Sequence, residues 1–157
     1  MHQGERLPNL KTLNLSGNNL ETIRFSGSCV NLEELYCSNN LLVEIDVKEL
    51  ESLRVLDCSF NQIFDLRLPS SVTNLACSDN LMEVIVFEGE DIVLETLYCQ
   101  NNQIWFIGSE FDDETGTVAL APDAVCDIAG NPSIRVEEGD DGGMRIGLEE
   151  LDPQDEV

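Results

Sequence analysis

The chain is short of the groups that catalysis and nucleic-acid binding usually require. Its 157 residues include one histidine, two tyrosines, one tryptophan and only 8 Lys plus Arg. The single histidine, His2, lies outside the patterned part of the chain, so no Ser-His or Cys-His pair forms within that part. No glycine-rich loop of the phosphate-cradling kind follows a strand-like segment. No run approaches the roughly 20 apolar residues that span a bilayer, and the opening MHQGERLPNLK lacks the apolar core of a secretory signal. An enzyme is therefore not expected, and no catalytic residue, metal site or cofactor is assigned.

The scarcity of cations leaves acids uncompensated. Asp plus Glu number 31, giving a formal net charge of -23. Such a field repels phosphate backbones and anionic lipid, so the expected partner is a protein, and a basic one. Neither nucleic acid nor membrane insertion is expected, and no small-molecule substrate is evident. The apolar fraction of 42% is ordinary for a domain that buries a core. Six cysteines without a signal point to free thiols in a reducing, cytoplasmic setting. An extracellular or secreted-effector setting is the alternative if the chain is a fragment.

What the sequence has in abundance is repetition. LEELYCSNNLL, LRVLDCSFNQI, VTNLACSDNLM and LETLYCQNNQI each place a cysteine three residues before an asparagine. Anchored on Asn18, Asn40, Asn61, Asn80, Asn102 and Asn131, the steps are 22, 21, 19, 22 and 29 residues. Counting back eight, five and three gives Leu10-Leu13-Leu15, Leu32-Leu35-Cys37, Leu53-Leu56-Cys58, Val72-Leu75-Cys77 and Leu94-Leu97-Cys99. Counting forward two gives Leu20, Leu42, Ile63, Met82 and Ile104.

This L-x-x-L-x-L-x-x-N-x-L pattern, with cysteine for the third leucine in four copies, resembles the leucine-rich repeat family over about residues 7–136. The short units are similar to the bacterial-type subclass of that family. The resemblance implies a right-handed superhelical solenoid, mainly β or α/β, with a parallel concave sheet. It also implies a non-catalytic protein-binding role. Alternation of period two points both leucines of each strand inward, and successive coils stack them about 4.8 Å apart. The asparagine sits where the chain turns off the strand, and its amide suits backbone groups left unpaired there. Cys37, Cys58, Cys77 and Cys99 then read as small core hydrophobes, since one thiol per coil in a flat column does not converge on a tetrahedral metal site.

Past each asparagine, Leu20-Ile23-Phe25, Leu42-Ile45-Val47, Ile63-Leu66-Leu68 and Met82-Ile85-Phe87 leave only about ten residues before the next coil. A helix hardly fits, so the convex side is expected to be extended or short-stranded. Between the inward leucines, the concave face would carry Tyr36, Arg54, Asp57 and Tyr98, with Phe60 just before a turn. Tyrosine and arginine are frequent anchors of protein interfaces, so these five are the candidate partner-binding residues.

The ends depart from the pattern. Few residues precede the first coil, whose apolar edge is expected to need cover from upstream sequence or a partner. The sixth copy, DAVCDIAGNPSI, puts Asp123 where counting back eight calls for leucine. The long step before it holds SEFDDETGT, read as an acidic surface loop. Residues 1–136 are expected to form the repeat domain. Residues 137–150 would form an acidic cap, as a hairpin with 134–136, and 151–157 a disordered tail. From Glu110 onward there are 15 acids and 2 bases. That tail supports a second reading, an acidic chaperone or inhibitor of basic proteins. It is similar to the acidic leucine-rich nuclear phosphoproteins but lacks their long unbroken acidic runs. A third reading is a targeting domain of a larger effector enzyme.

Overall fold

Leucine alternation produces a set of very short strands laid side by side. The computed structural model describes residues 7–25, 29–89, 91–109, 118–131, 133–139 and 142–148. The strands are β1 (Thr12–Asn14), β2 (Glu34–Tyr36), β3 (Val55–Asp57), β4 (Asp65–Pro69), β5 (Asn74–Ala76), β6 (Val84–Glu88), β7 (Val93–Tyr98), β8 (Phe106–Ser109), β9 (Val118–Asp127), β10 (Ile134–Glu138) and β11 (Met144–Leu148). No helix occurs among the described residues. One sheet has eight strands in the order β1-β2-β3-β5-β7-β9-β11-β10, and a second has three in the order β4-β6-β8. The strands from β1 to β9 in the first sheet pair in parallel, each one coil further on. The result is a β-solenoid, as the repeat predicts.

Register explains the core. Leu13, Leu35, Leu56, Leu75, Leu97 and Cys126 are successive cross-strand partners. On the opposite wall Leu66, Ile85 and Ile107 are partners in the second sheet. Isolated bridges Arg24↔Asp46 and Asp46↔Arg67 carry that wall back toward the first coil. The back of the coils is thus extended, in agreement with their length. Leu35, Leu42, Leu66, Ile85, Phe87 and Leu97 between the walls have no exposed surface.

The coils are closed and joined by asparagine amides. Asn61 Nδ2 donates to the carbonyl of Cys58 in its own coil at 3.0 Å and to that of Cys37 in the preceding coil at 3.1 Å. Its Oδ1 accepts from the Leu42 N–H at 3.0 Å. Asn40, Asn80, Asn102 and Asn131 repeat this arrangement against the coil before each of them. Asn18, in the first coil, bonds among the described residues to the carbonyls of its own coil, Leu15 at 2.8 Å and Ser16 at 3.3 Å.

One residue after the inward leucine's outward neighbour comes the thiol column. Cys37, Cys58, Cys77 and Cys99 are fully buried and free, between Leu15 at one end and Ile128 at the other. Burial, with smaller help from the Asp57 charge, pushes the Cys37 thiol up to about 12. Cys99 also rises to about 12, through burial and then the neighbouring Cys126 and Asp127. Cys58 and Cys77 are also raised well above the ordinary thiol value, by burial first and then by the neighbouring thiols, Cys37 beside Cys58 and Cys99 and Cys58 beside Cys77.

The sixth coil is built differently from the count. Leu120 pairs opposite Leu94, and Val125 pairs opposite Thr96, so β9 bulges out between these points. Leu120 is buried while Asp123 is exposed on the bulge. The leucine missing at Asp123 is thus supplied by Leu120, because a bulge lets a strand gain residues without losing its partner.

Beyond that coil, β10 and β11 form an antiparallel hairpin with Val136 opposite Ile146, and β11 pairs antiparallel with the start of β9. Glu137 takes hydrogen bonds from Arg135 Nε at 3.0 Å and Arg145 Nε at 3.2 Å. Its carboxylate lies over Gly147, where a Cβ would come within 2.5 Å of Glu137 Cδ. The acidic stretch 110–117 and the tail 151–157 lie outside the described residues.

Two outcomes follow from this packing. Asn61→Ala leaves buried groups of two coils unpaired and is expected to lower unfolding free energy by about 1–3 kcal/mol per orphaned group. Asn18→Ala, whose amide bonds one coil among the described residues, should cost less than about 1 kcal/mol in the same denaturant titration. The cysteines set the alkaline limit. Their folded values exceed the unfolded value of 9.0, so the native state holds protons that the unfolded chain releases. Stability is therefore whole below about pH 9 and falls as pH rises toward 12, which thermal unfolding across that range will report.

Candidate functional site

The outer face of the eight-stranded sheet follows from the same register. One row reads Thr12, Glu34, Val55, Asn74, Thr96 and Val125; the next reads Asn14, Tyr36, Asp57, Ala76, Tyr98 and Asp127. Side chains on this face bond along and across the strands. Lys11 Nζ reaches Glu33 Oε1 at 2.6 Å, and the Asn74 amide donates to Thr96 Oγ1 at 3.0 Å. The Lys11 hydrogen bond and charge hold the Glu33 carboxyl below its usual range, and Arg54 adds to this.

Of the five candidate residues, Tyr36 and Asp57 are direct neighbours across β2 and β3. Tyr36 is half-buried, and its hydroxyl donates to Glu34 Oε2 at 3.3 Å. Partial burial and then the Glu34 and Asp57 charges raise its pKa, so the phenol stays protonated. Asp57 Oδ1 accepts from the Ser59 N–H at 3.1 Å. Asn14 and Asp127 do the same for Ser16 and Ala129, so this position stops the strand locally as well as facing outward. Arg54 is exposed beside Glu33 and forms no ion pair among the described residues. Tyr98 is exposed and lies three strand steps from Tyr36, about 14 Å, so the rings do not touch. Ala76 sits between Asp57 and Tyr98. The row thus sets one carboxylate and one small side chain between two tyrosines.

Phe60 stands apart for a backbone reason. The residue before each ladder asparagine is left-handed: Gly17, Asn39, Phe60, Asp79, Asn101 and Gly130 all have φ between 54° and 78°. Glycine, asparagine and aspartate adopt this region readily, and a bulky aromatic does not. Phe60 holds φ 55° with its side chain 54% exposed, so neither the turn nor the core calls for it. The serine row bonds from coil to coil: Ser38 Oγ bonds Ser16 Oγ at 3.1 Å, and Ser78 Oγ bonds Gln100 Oε1 at 2.7 Å.

Residues the count overlooked lie on the flank just past the asparagines. Leu41, Val43, Phe64, Leu81 and Trp105 are each at least 41% exposed. The signal was available: Leu42, Ile63, Met82 and Ile104 point inward, so the residues on either side of them point out. Among the described residues, no group of His, Cys, Asp and Glu is arranged to hold a metal ion, and no helix is long and apolar enough to cross a membrane.

Family comparison agrees with the stacked coils. A model for two copies of leucine-rich repeats matches residues 8–51, and a single leucine-rich repeat model matches residues 52–75. No curated protein and no solved structure matched the chain. The chain carries leucine-rich repeats, which in general serve as protein–protein interaction modules and are typically non-catalytic.

Relief of the Phe60 backbone is measurable. Phe60→Asn keeps the turn and removes the aromatic penalty. It should raise unfolding free energy by about 1 kcal/mol in denaturant titrations, whereas Asn39→Phe should lower it by a similar amount.

Proposed function

We propose that this chain is a non-catalytic binding module that seats a basic segment of another protein across the outer face of its eight-stranded sheet. Tyr36 and Tyr98 wall the site, Ala76 gives it depth, and Asp57 supplies the charge for an incoming lysine or arginine. Arg54 and Phe60 border it. The observation that supports the reading is the row Tyr36, Asp57, Ala76 and Tyr98, a carboxylate between two tyrosines, on a molecule of net charge -23. Aromatic side chains bring large contact area at low entropy cost, which suits them as anchors. The long-range field raises the encounter rate with a cationic partner. Phe60 fits the same reading, since strain kept at an exposed residue is a reason to look for function there.

The test is quantitative binding of a purified partner by calorimetry. Tyr36→Ala combined with Tyr98→Ala should weaken binding at least about tenfold, or roughly 1.4 kcal/mol, without altering the denaturant midpoint by a comparable amount. Phe60→Asn should weaken binding while the fold gains stability. Unchanged affinity in the tyrosine pair would move the site off this face.

A further inference from the structure

The flank past the asparagine ladder carries a second arrangement that the sheet face does not explain. Ile63, Met82 and Ile104 point into the core with no exposed surface. The residue after each of them therefore projects outward, which aligns Phe64, Glu83 and Trp105 in one row across three coils. The backbone holds this row tightly: the Glu83 N–H donates to the Phe64 carbonyl at 2.8 Å, and the Trp105 N–H donates to the Glu83 carbonyl at 3.0 Å. Phe64 is 50% exposed and Trp105 54%. The indole is positioned by Phe106, with ring centroids 6.0 Å apart and planes at 55°. Val43 and Leu81 are exposed on the same flank.

The geometry points to a subsite for a cationic side chain, a guanidinium or ammonium of a protein partner, between Phe64 and Trp105 and over Glu83. Two coil steps separate Phe64 from Trp105, about 9.6 Å along the stack. A cation midway along the row thus lies about 5 Å along the stack from each residue, inside the roughly 6 Å reach of an aromatic face for a positive charge. Glu83 is exposed and forms no ion pair or hydrogen bond among the described residues through its carboxylate. The apolar border from Val43 and Leu81 suits the methylene stem of arginine or lysine, which carries its charge on an apolar chain. Charge decides the occupant, because an anionic or purely apolar segment would leave Glu83 facing a like charge or buried without a partner. This subsite is separate from the sheet face and stands whether or not that face binds.

A peptide of four Arg-Gly repeats serves as the ligand, with its citrulline counterpart as the neutral isostere. Trp105 is the only tryptophan, so its emission reports the site directly. The arginine peptide should shift that emission and the citrulline peptide should not. By calorimetry, Glu83→Gln, Phe64→Ser and Trp105→Ser should each weaken arginine-peptide binding at least fivefold. Glu51→Gln, an exposed acid away from the flank, should change it less than twofold. Read by Trp105 emission, which reports the flank alone, the Tyr36→Ala, Tyr98→Ala double variant should titrate with the same midpoint as the parent, whatever binding it loses on the sheet face. Equal losses from Glu83→Gln and Glu51→Gln would reduce the binding to diffuse charge attraction and overturn the subsite. So would unchanged affinity in Phe64→Ser, or loss confined to the tyrosine variant. Circular dichroism confirms that each exposed substitution leaves the fold intact.

Discussion

The asparagine amide is the contact on which the rest of the molecule depends. Each one from Asn40 onward bonds a carbonyl of its own coil, a carbonyl of the coil before and an N–H of the coil before. A side chain with both donor and acceptor is needed, and only an amide of this length meets both at one turn. The amide sets the pitch of the stack at one strand spacing. Every other alignment follows: the leucine columns, the thiol column and the second sheet all inherit that step.

A backbone held this firmly from within leaves the outward positions open to other demands. The inward rows are nearly uniform, whereas the outer row runs from asparagine through tyrosine, aspartate and alanine to tyrosine again. Phe60 marks how far that latitude extends, since it occupies a backbone region better suited to the asparagine, aspartate or glycine of the other coils. The acids are placed outside as well. No buried side-chain nitrogen or oxygen among the described residues lacks a partner. Among the described residues no Asp or Glu is buried, so their charge lies on the surface and the core stays neutral, with its thiols held protonated by burial.

Much of this was readable in advance where the period was strict. Leu32-Leu35-Cys37-Asn40 and its sister sets announced the inward columns, because period-two alternation and a fixed repeat leave one consistent facing. Reading failed where the period broke. At the sixth coil the count fell on Asp123, and the structure uses Leu120, since a bulge in β9 cannot be seen by counting from one anchor. On the flank, Phe64 and Trp105 went unremarked, because an apolar residue next to an inward isoleucine shows its direction only through parity. Asp57 reads as a candidate partner contact on the concave face, and its bond to the Ser59 N–H appears only once the strand end is built.

The sequence by itself determined the repeating unit, the inward residues, the ladder asparagines and the excess of negative charge. All of these are local or additive, and a periodic chain states them at every turn. The repeat also places Tyr36 and Tyr98 on one outward row, three strands apart. Tertiary structure decided the bulge that brings Leu120 inward and the flank row in which Phe64, Glu83 and Trp105 align across three coils. These groupings join residues about 20 to 60 positions apart in the chain, and the coil-to-coil register that brings them together is set by hydrogen bonds between turns.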